Sequence, residues 1–249
     1  MTTTPYRLLC AIILVIVHSP VAAQQYSTSE FEAFLIPLNV TNVSGAYGSV
    51  WTTELWYRNN SIYPVKVLGT ASVSSPPSSK DITERLRLPP ISPNEPGTFL
   101  LVTKMGSEDV QFDLRLFNVA DPDDTVGTKI PVVRASQFED QVNLLNVSTG
   151  VQVRSALRVY VHPNDYWTAG DTVTLTVYSP DEQLLATAEI PLRGTPKYGA
   201  VLSLTDIFPH IVVEDRVRLH IKSQNDVRLW AFVAMVSNLS QRVSLVTPD

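Results

Sequence analysis

The chain has 249 residues and a mass of 27.6 kDa, enough for one large domain or two of ordinary size. Its residues are 44% hydrophobic and 17% charged, a globular composition, and nineteen basic against twenty-four acidic side chains give a net charge of −5. That charge argues against a general nucleic-acid binder, and the single cysteine, Cys10, rules out an internal disulfide framework or a thiolate zinc cluster.

Residues Met1 to Arg7 are polar and carry positive charge. Leu8 to Val17 is an apolar run, His18-Ser19-Pro20 breaks it, and Val21-Ala22-Ala23 supplies small residues. This is the order of a secretory signal peptide over 1–23, too short to span a bilayer. Cleavage after Ala23 removes Arg7 and Cys10 and no acid, leaving a cysteine-free chain of net charge −6. The expectation is an exported protein, periplasmic or extracellular, with no transmembrane segment after cleavage.

From there the periodicity is two. In Val50–Arg58, Trp51, Thr53, Leu55 and Tyr57 share one face, the expected core. Val50, Thr52, Glu54, Trp56 and Arg58 share the other. Turn clusters follow at 74–79 and 92–97. Strict alternation returns in Val110–Leu116, an acidic turn lies at 121–124, and alternation resumes in Leu157–Val161. A turn at 162–165 leads to the alternating Val173–Val177. Leu204–Phe208 offers one helical turn ended by Pro209, and Arg216–Lys222 alternates again. Eighteen prolines, short strands and no long amphipathic helix predict an all-β fold of antiparallel sandwiches.

The chain also repeats itself. Residues 99–116 lie over 216–233 without a gap, and TTELWY at 52–57 lies over RSALRV at 154–159. Two copies of roughly 100 residues match the size of one sandwich each. The expected division is a signal peptide at 1–23, one domain at 24–138 and a second at 139–249. The rival is one large sandwich with chance similarity between strands.

The segment FLIPLNVTNVSGAYGSVWTTELWYRNN carries Pro37, Gly45, Gly48, Ser49, Trp51, Thr53, Glu54, Leu55 and Asn59. The chain ends in LWAFVAMVSNLSQRVSLVTPD. Both stretches resemble a group of exported bacterial proteins built from tandem immunoglobulin-like β-sandwiches. The resemblance implies fold and export, not activity. The second copy departs from it at Arg154-Ser155, where no Trp-x-Thr occurs.

Chemistry is sparse. No phosphate-binding loop, zinc-protease helix, nucleophile elbow or dinucleotide fingerprint occurs. His162, His210 and His220 lie far apart. Asp121, Asp123 and Asp124 could hold calcium, but a solvated turn explains them as well. His162-Pro-Asn-Asp165-Tyr-Trp167 reads first as a turn. The N-x-[ST] sequences at Asn39, Asn42, Asn59, Asn146 and Asn238 are glycan acceptors only in a eukaryotic secretory pathway.

Two candidate binding faces emerge. Trp56, between Glu54 and Arg58, has the make-up of a sugar platform or a partner hot spot; the competing account buries it under a loop or the other domain. Arg216, Arg218, His220 and Lys222 line the outer face of one strand as a positive stripe, with Arg228 following, and suit an anionic polysaccharide or an acidic protein face. The competing account is charge that discourages edge pairing. The reading is a non-catalytic interaction or structural module without cofactor or metal. A carbohydrate-binding module and a hydrolase with a convergent site are the alternatives.

Overall fold

A computed structural model describes residues 30–69, 83–88, 97–165, 171–191, 199–209 and 216–248. The expected signal peptide, the turns at 74–79 and 92–96, and Trp167 lie outside the described residues. The expected all-β architecture is present.

The N-terminal half contributes β1 (Phe31–Ile36), β2 (Val43–Ser44), β3 (Val50–Asn59), β4 (Val67–Leu68), β5 (Thr83–Leu86), β6 (Thr98–Thr103), β7 (Val110–Asn118), β8 (Thr128–Ile130) and β9 (Val133–Arg134). The C-terminal half contributes β10 (Gln141–Ser148), β11 (Val153–Val161), β12 (Thr172–Tyr178), β13 (Leu184–Pro191), β14 (Gly199–Ser203), β15 (Arg216–Ser223), β16 (Leu229–Ser237) and β17 (Val243–Val246). The expected helical turn is α1 (Leu204–Ile207), capped by the Ser203 hydroxyl, which accepts from the Asp206 amide.

Four antiparallel sheets result. In the first half, β4-β6-β1-β9 faces β2-β3-β7-β8, with β5 also pairing β3. In the second, β10-β15-β12-β13 faces β14-β11-β16-β17. The order β4-β6-β1 matches β12-β15-β10, and β5-β3-β7-β8 matches β14-β11-β16-β17.

Each facing pair encloses a core. Phe34, Ile36, Leu100 and Val102 meet Leu55, Tyr57, Leu114 and Leu116 in the first. Leu144, Leu175, Leu219 and Ile221 meet Leu157, Val159, Ala231 and Val233 in the second. The alternation of β7 and β15 is realised, and that of β12 except at Thr176, which is buried on the outer face; elsewhere one face of each is core and the other is wetter. Corresponding strands also carry corresponding hydroxyls. Thr53 on β3 accepts from the Val40 amide at 3.0 Å, and Ser155 on β11 donates to the Ser148 carbonyl at 2.6 Å.

A third cluster joins the halves: Leu35, Val133 and Phe138 against Tyr160, Trp230 and Phe232. The last three project from the outer face of the sheet whose inner face closes the second core. That sheet is therefore apolar on both sides. The Tyr160 hydroxyl, fully buried, donates to the Pro37 carbonyl at 2.7 Å, and Thr128 donates to the Val243 carbonyl at 3.2 Å. These bonds fix how the outer face of β11, β16 and β17 meets the first sandwich.

Candidate binding cleft between the two halves

Where that outer face runs beyond the third cluster, the halves separate and leave a cleft of about 650 Å³. One wall comes from the first half: Leu38, Val40, Val43, Trp51, Leu116 and Ile130. The opposite wall is built from β11, β16 and β17, with Ala156, Ala234, Val236 and Leu245 as its apolar part. Alternation decides this. Leu157 and Val159 point into the second core, so Arg154, Ala156 and Arg158 point the other way, toward the cleft.

The turn before β3 positions Trp51, which lines the cleft, and Tyr47, which contacts the lining residue Arg154. Residues Ala46–Gly48 form a single 3-10 turn; Gly48 has φ +78°, and the Ser49 hydroxyl donates to the Ala46 carbonyl at 2.8 Å. A Cβ on Gly45 would stand 2.5 Å from Trp51 Nε1, so the indole lies where only glycine leaves room. The same turn holds Tyr47 in the left-handed region and 72% exposed, and the Arg154 guanidinium stacks over its ring at 5.2 Å. Arg154 Nη2 also donates to Gln241 Oε1 at 2.7 Å. Arg154 Nε and Arg158 Nη1 are buried and have no hydrogen-bond acceptor. Burial holds the proton of the Tyr160 hydroxyl far more tightly than in a free tyrosine, and the nearby Arg158 opposes this without reversing it.

The residues singled out from sequence fall elsewhere and on two different sandwiches. Trp56, Glu54 and Arg58 lie on the outer face of β3. Trp56 is half-buried, and its indole N–H donates to Glu54 at 3.3 Å, while Glu54 pairs with Arg85 at 2.8 Å. Asp113 and Arg85 are the cross-strand neighbours of Trp56. The ring thus stands in a charged surface cluster rather than under the other half.

Arg216, Arg218, His220 and Lys222 share the outer face of β15, with Val217, Leu219 and Ile221 inward. Arg216 and Lys222 are exposed. Arg218 is engaged: it pairs with Glu182, stacks over Tyr178 at 4.1 Å and donates to Asn143 at 3.3 Å. Asn143 Oδ1 also lies 3.0 Å from His220 Nδ1. Burial, then Arg218 and Lys222, lowers the His220 pKa. β15 lies between β10 and β12, so protection of a free edge does not account for its charges.

Arg228 does not join the stripe. β15 and β16 belong to opposite sheets, and Arg228 instead pairs with Asp165 at 2.8 Å and contacts His162 Nδ1 at 2.9 Å. The His162–Asp165 segment is thus a stapled turn. Its imidazole is buried and packs edge-on against Phe138. Of the acidic turn, Asp124 accepts from the Asn118 and Gly127 amides and Asp121 from the Asp123 amide. Among the described residues no three His, Cys, Asp or Glu side chains gather as metal ligands, and no helix is long and apolar enough to cross a membrane. Two of the asparagines in N-x-[ST] sequences, Asn39 and Asn59, are buried.

The cleft itself has no motif in the sequence. Its one sequence signal is the unbroken apolar run Leu229–Val236, which marks a strand covered on both faces. No family model, curated protein or solved structure matches the chain.

Proposed function

We propose that the chain is an exported, non-catalytic binding module of two tandem sandwich domains, 24–138 and 139–249, and that its ligand site is the cleft between them. The resemblance to exported tandem-sandwich proteins and the signal-like N-terminus support export. The matching strand orders of the two halves support the repeat. The observation that carries the binding assignment is the cleft: about 650 Å³, predominantly apolar on both walls, with two arginines and the neutral polar side chains of Thr149, Ser155, Ser203, Thr205 and Asn238. Ligand sites in proteins have this size and this make-up.

The test fills the space. Ala156 sits in the arginine-bearing wall, and Ala156→Trp projects an indole into the cleft without entering the second core. Binding of the neutral apolar dye Nile red should fall at least tenfold, with a melting temperature within a few degrees of wild type. Undiminished binding at unchanged stability removes the cleft as the site.

A second reading rests on Trp56. Its half-buried ring, hydrogen-bonded to Glu54 and flanked by Arg85 and Asp113, has the chemistry of a sugar platform. On this reading Trp56→Ala abolishes retention on a polysaccharide and leaves the melting temperature nearly unchanged. A large fall in stability instead assigns the ring to packing.

A further inference from the structure

We infer that the cleft takes a medium- or long-chain alkyl carboxylate, whose head is held by Arg154 and Arg158 and whose chain lies along the apolar wall. The inference rests on the cleft being the ligand site.

The charge inventory is the first ground. Among the described residues that line the cleft, Arg154 and Arg158 are the only ionisable side chains, and none is Asp or Glu. Among the described residues the ion pairs of arginine use Arg85, Arg115, Arg134, Arg218 and Arg228, and neither of the cleft arginines. Among the described residues this is a local charge of +2 without a counter-ion, in a chain of net charge −5. A guanidinium keeps its proton, so it cannot escape desolvation by neutralising. Placing it against Phe232, Val236 and Trp51 carries a cost that an incoming anion removes.

Geometry is the second ground. Arg154 and Arg158 lie on one face of β11, about 13 Å apart along the strand, with only Ala156 between them on that face. The methyl group leaves open the space toward which two long side chains can converge. Arg154 Nε and Arg158 Nη1 are donors still lacking acceptors. A carboxylate is planar and takes paired N–H groups from a guanidinium, so it fits this unmet capacity better than a hydroxyl.

The wall chemistry is the third. Beyond the arginines one part of the lining, Ala234, Val236, Leu245, Val40 and Ile130, offers no side-chain hydrogen bonds, while Thr149, Ser155, Ser203, Thr205 and Asn238 supply polar groups elsewhere in the cleft. An unbranched hydrocarbon is the partner such a surface recognises. Each methylene placed there should tighten binding about fourfold.

The experiment uses the full chain and titrates dodecanoate, decanoate and octanoate against dodecan-1-ol, read by displacement of Nile red. The expected result is that dodecanoate binds at least tenfold tighter than dodecan-1-ol, and that affinity rises about fourfold per methylene across the acid series. Arg154→Gln with Arg158→Gln should remove the preference for the acid and leave dodecan-1-ol unchanged. Arg154→Lys with Arg158→Lys, which keeps charge but loses the fork, should fall between. The acid-against-alcohol comparison on wild type stands even if a variant fails to fold. Equal binding of acid and alcohol overturns the ligand class while Nile red in the cleft sustains the site. Loss of both overturns site and class together. A peptide with an apolar C-terminal residue that binds more tightly than dodecanoate overturns the lipid assignment in favour of a protein partner.

Discussion

His162 is a buried imidazole whose Nδ1 faces donors: the Asn164 amide at 3.2 Å and Arg228 Nη2 at 2.9 Å. Burial lowers its pKa, Arg228 lowers it further, and Asp165 opposes both without reversing them. Burial alone would raise the Asp165 carboxyl, and the Arg228 hydrogen bonds outweigh it and hold the group below its usual range. Above about pH 6.5 the imidazole is neutral both folded and unfolded. Below that the unfolded chain takes up a proton that the folded chain resists, so stability falls as the pH falls. His220, also lowered, adds a contribution of the same sign. The melting temperature should therefore drop between pH 7.5 and 5.5. His162→Asn, which keeps an acceptor in place without a titrating group, should drop less over the same interval. A variant as pH-sensitive as wild type would show that the imidazole does not govern the slope. The sequence showed the Pro-Asn-Asp turn but not the staple, because Arg228 lies 66 positions further along the chain.

At the scale of the element, β15 separates what sequence can and cannot show. Its alternation gives both faces correctly, since a strand with one wet face has only one consistent phase. What stands beside it does not follow from the pattern. Glu182 reaches Arg218 across a separation of 36 residues, and Asn143 meets His220 across 77. The stripe that looked uniformly positive is thus engaged in the middle and open at its ends. If it meets an anionic polymer, the exposed Arg216 and Lys222 carry the attraction. Arg216→Gln with Lys222→Gln should weaken retention on an acidic polysaccharide at low salt and shift stability by no more than about 0.5 kcal/mol. Retention equal to wild type leaves these cations as solubility chemistry. β11 and β16 illustrate the opposite limit. Phe232 and Val233 face opposite sides and both are buried, so no alternation between apolar and polar remains to be read. The cleft is invisible in the sequence for the same reason: its walls come from separate strands of the two halves, and each wall by itself reads as ordinary strand.

For the whole molecule, the question is whether two cores behave as two domains. The buried residues of each core come from its own half, although Val243 and Leu245 of β17 pack against the first core, and the strand orders correspond, which favours independent folding. Against this stands the third cluster, which buries Tyr160, Trp230 and Phe232 of the second half under Leu35 and Val133 of the first. Burying large aromatic side chains contributes about 2 kcal/mol each, so the contact couples the halves by an amount comparable with the stability of a small domain. Residues 24–138 and 139–249, expressed separately, should each show a β-type circular dichroism spectrum. The second should bind an apolar dye through its uncovered aromatics, and mixing the two should quench that dye and raise both melting temperatures. In the intact chain the coupling should give a single transition, and Trp230→Ala, which removes a side chain only 6% exposed, should lower it steeply or split it in two. Two unfolded fragments from a chain that melts as one unit would mean that neither core is sufficient alone. The third cluster would then be part of one continuous core, and the halves would be a repeat in topology but not in folding.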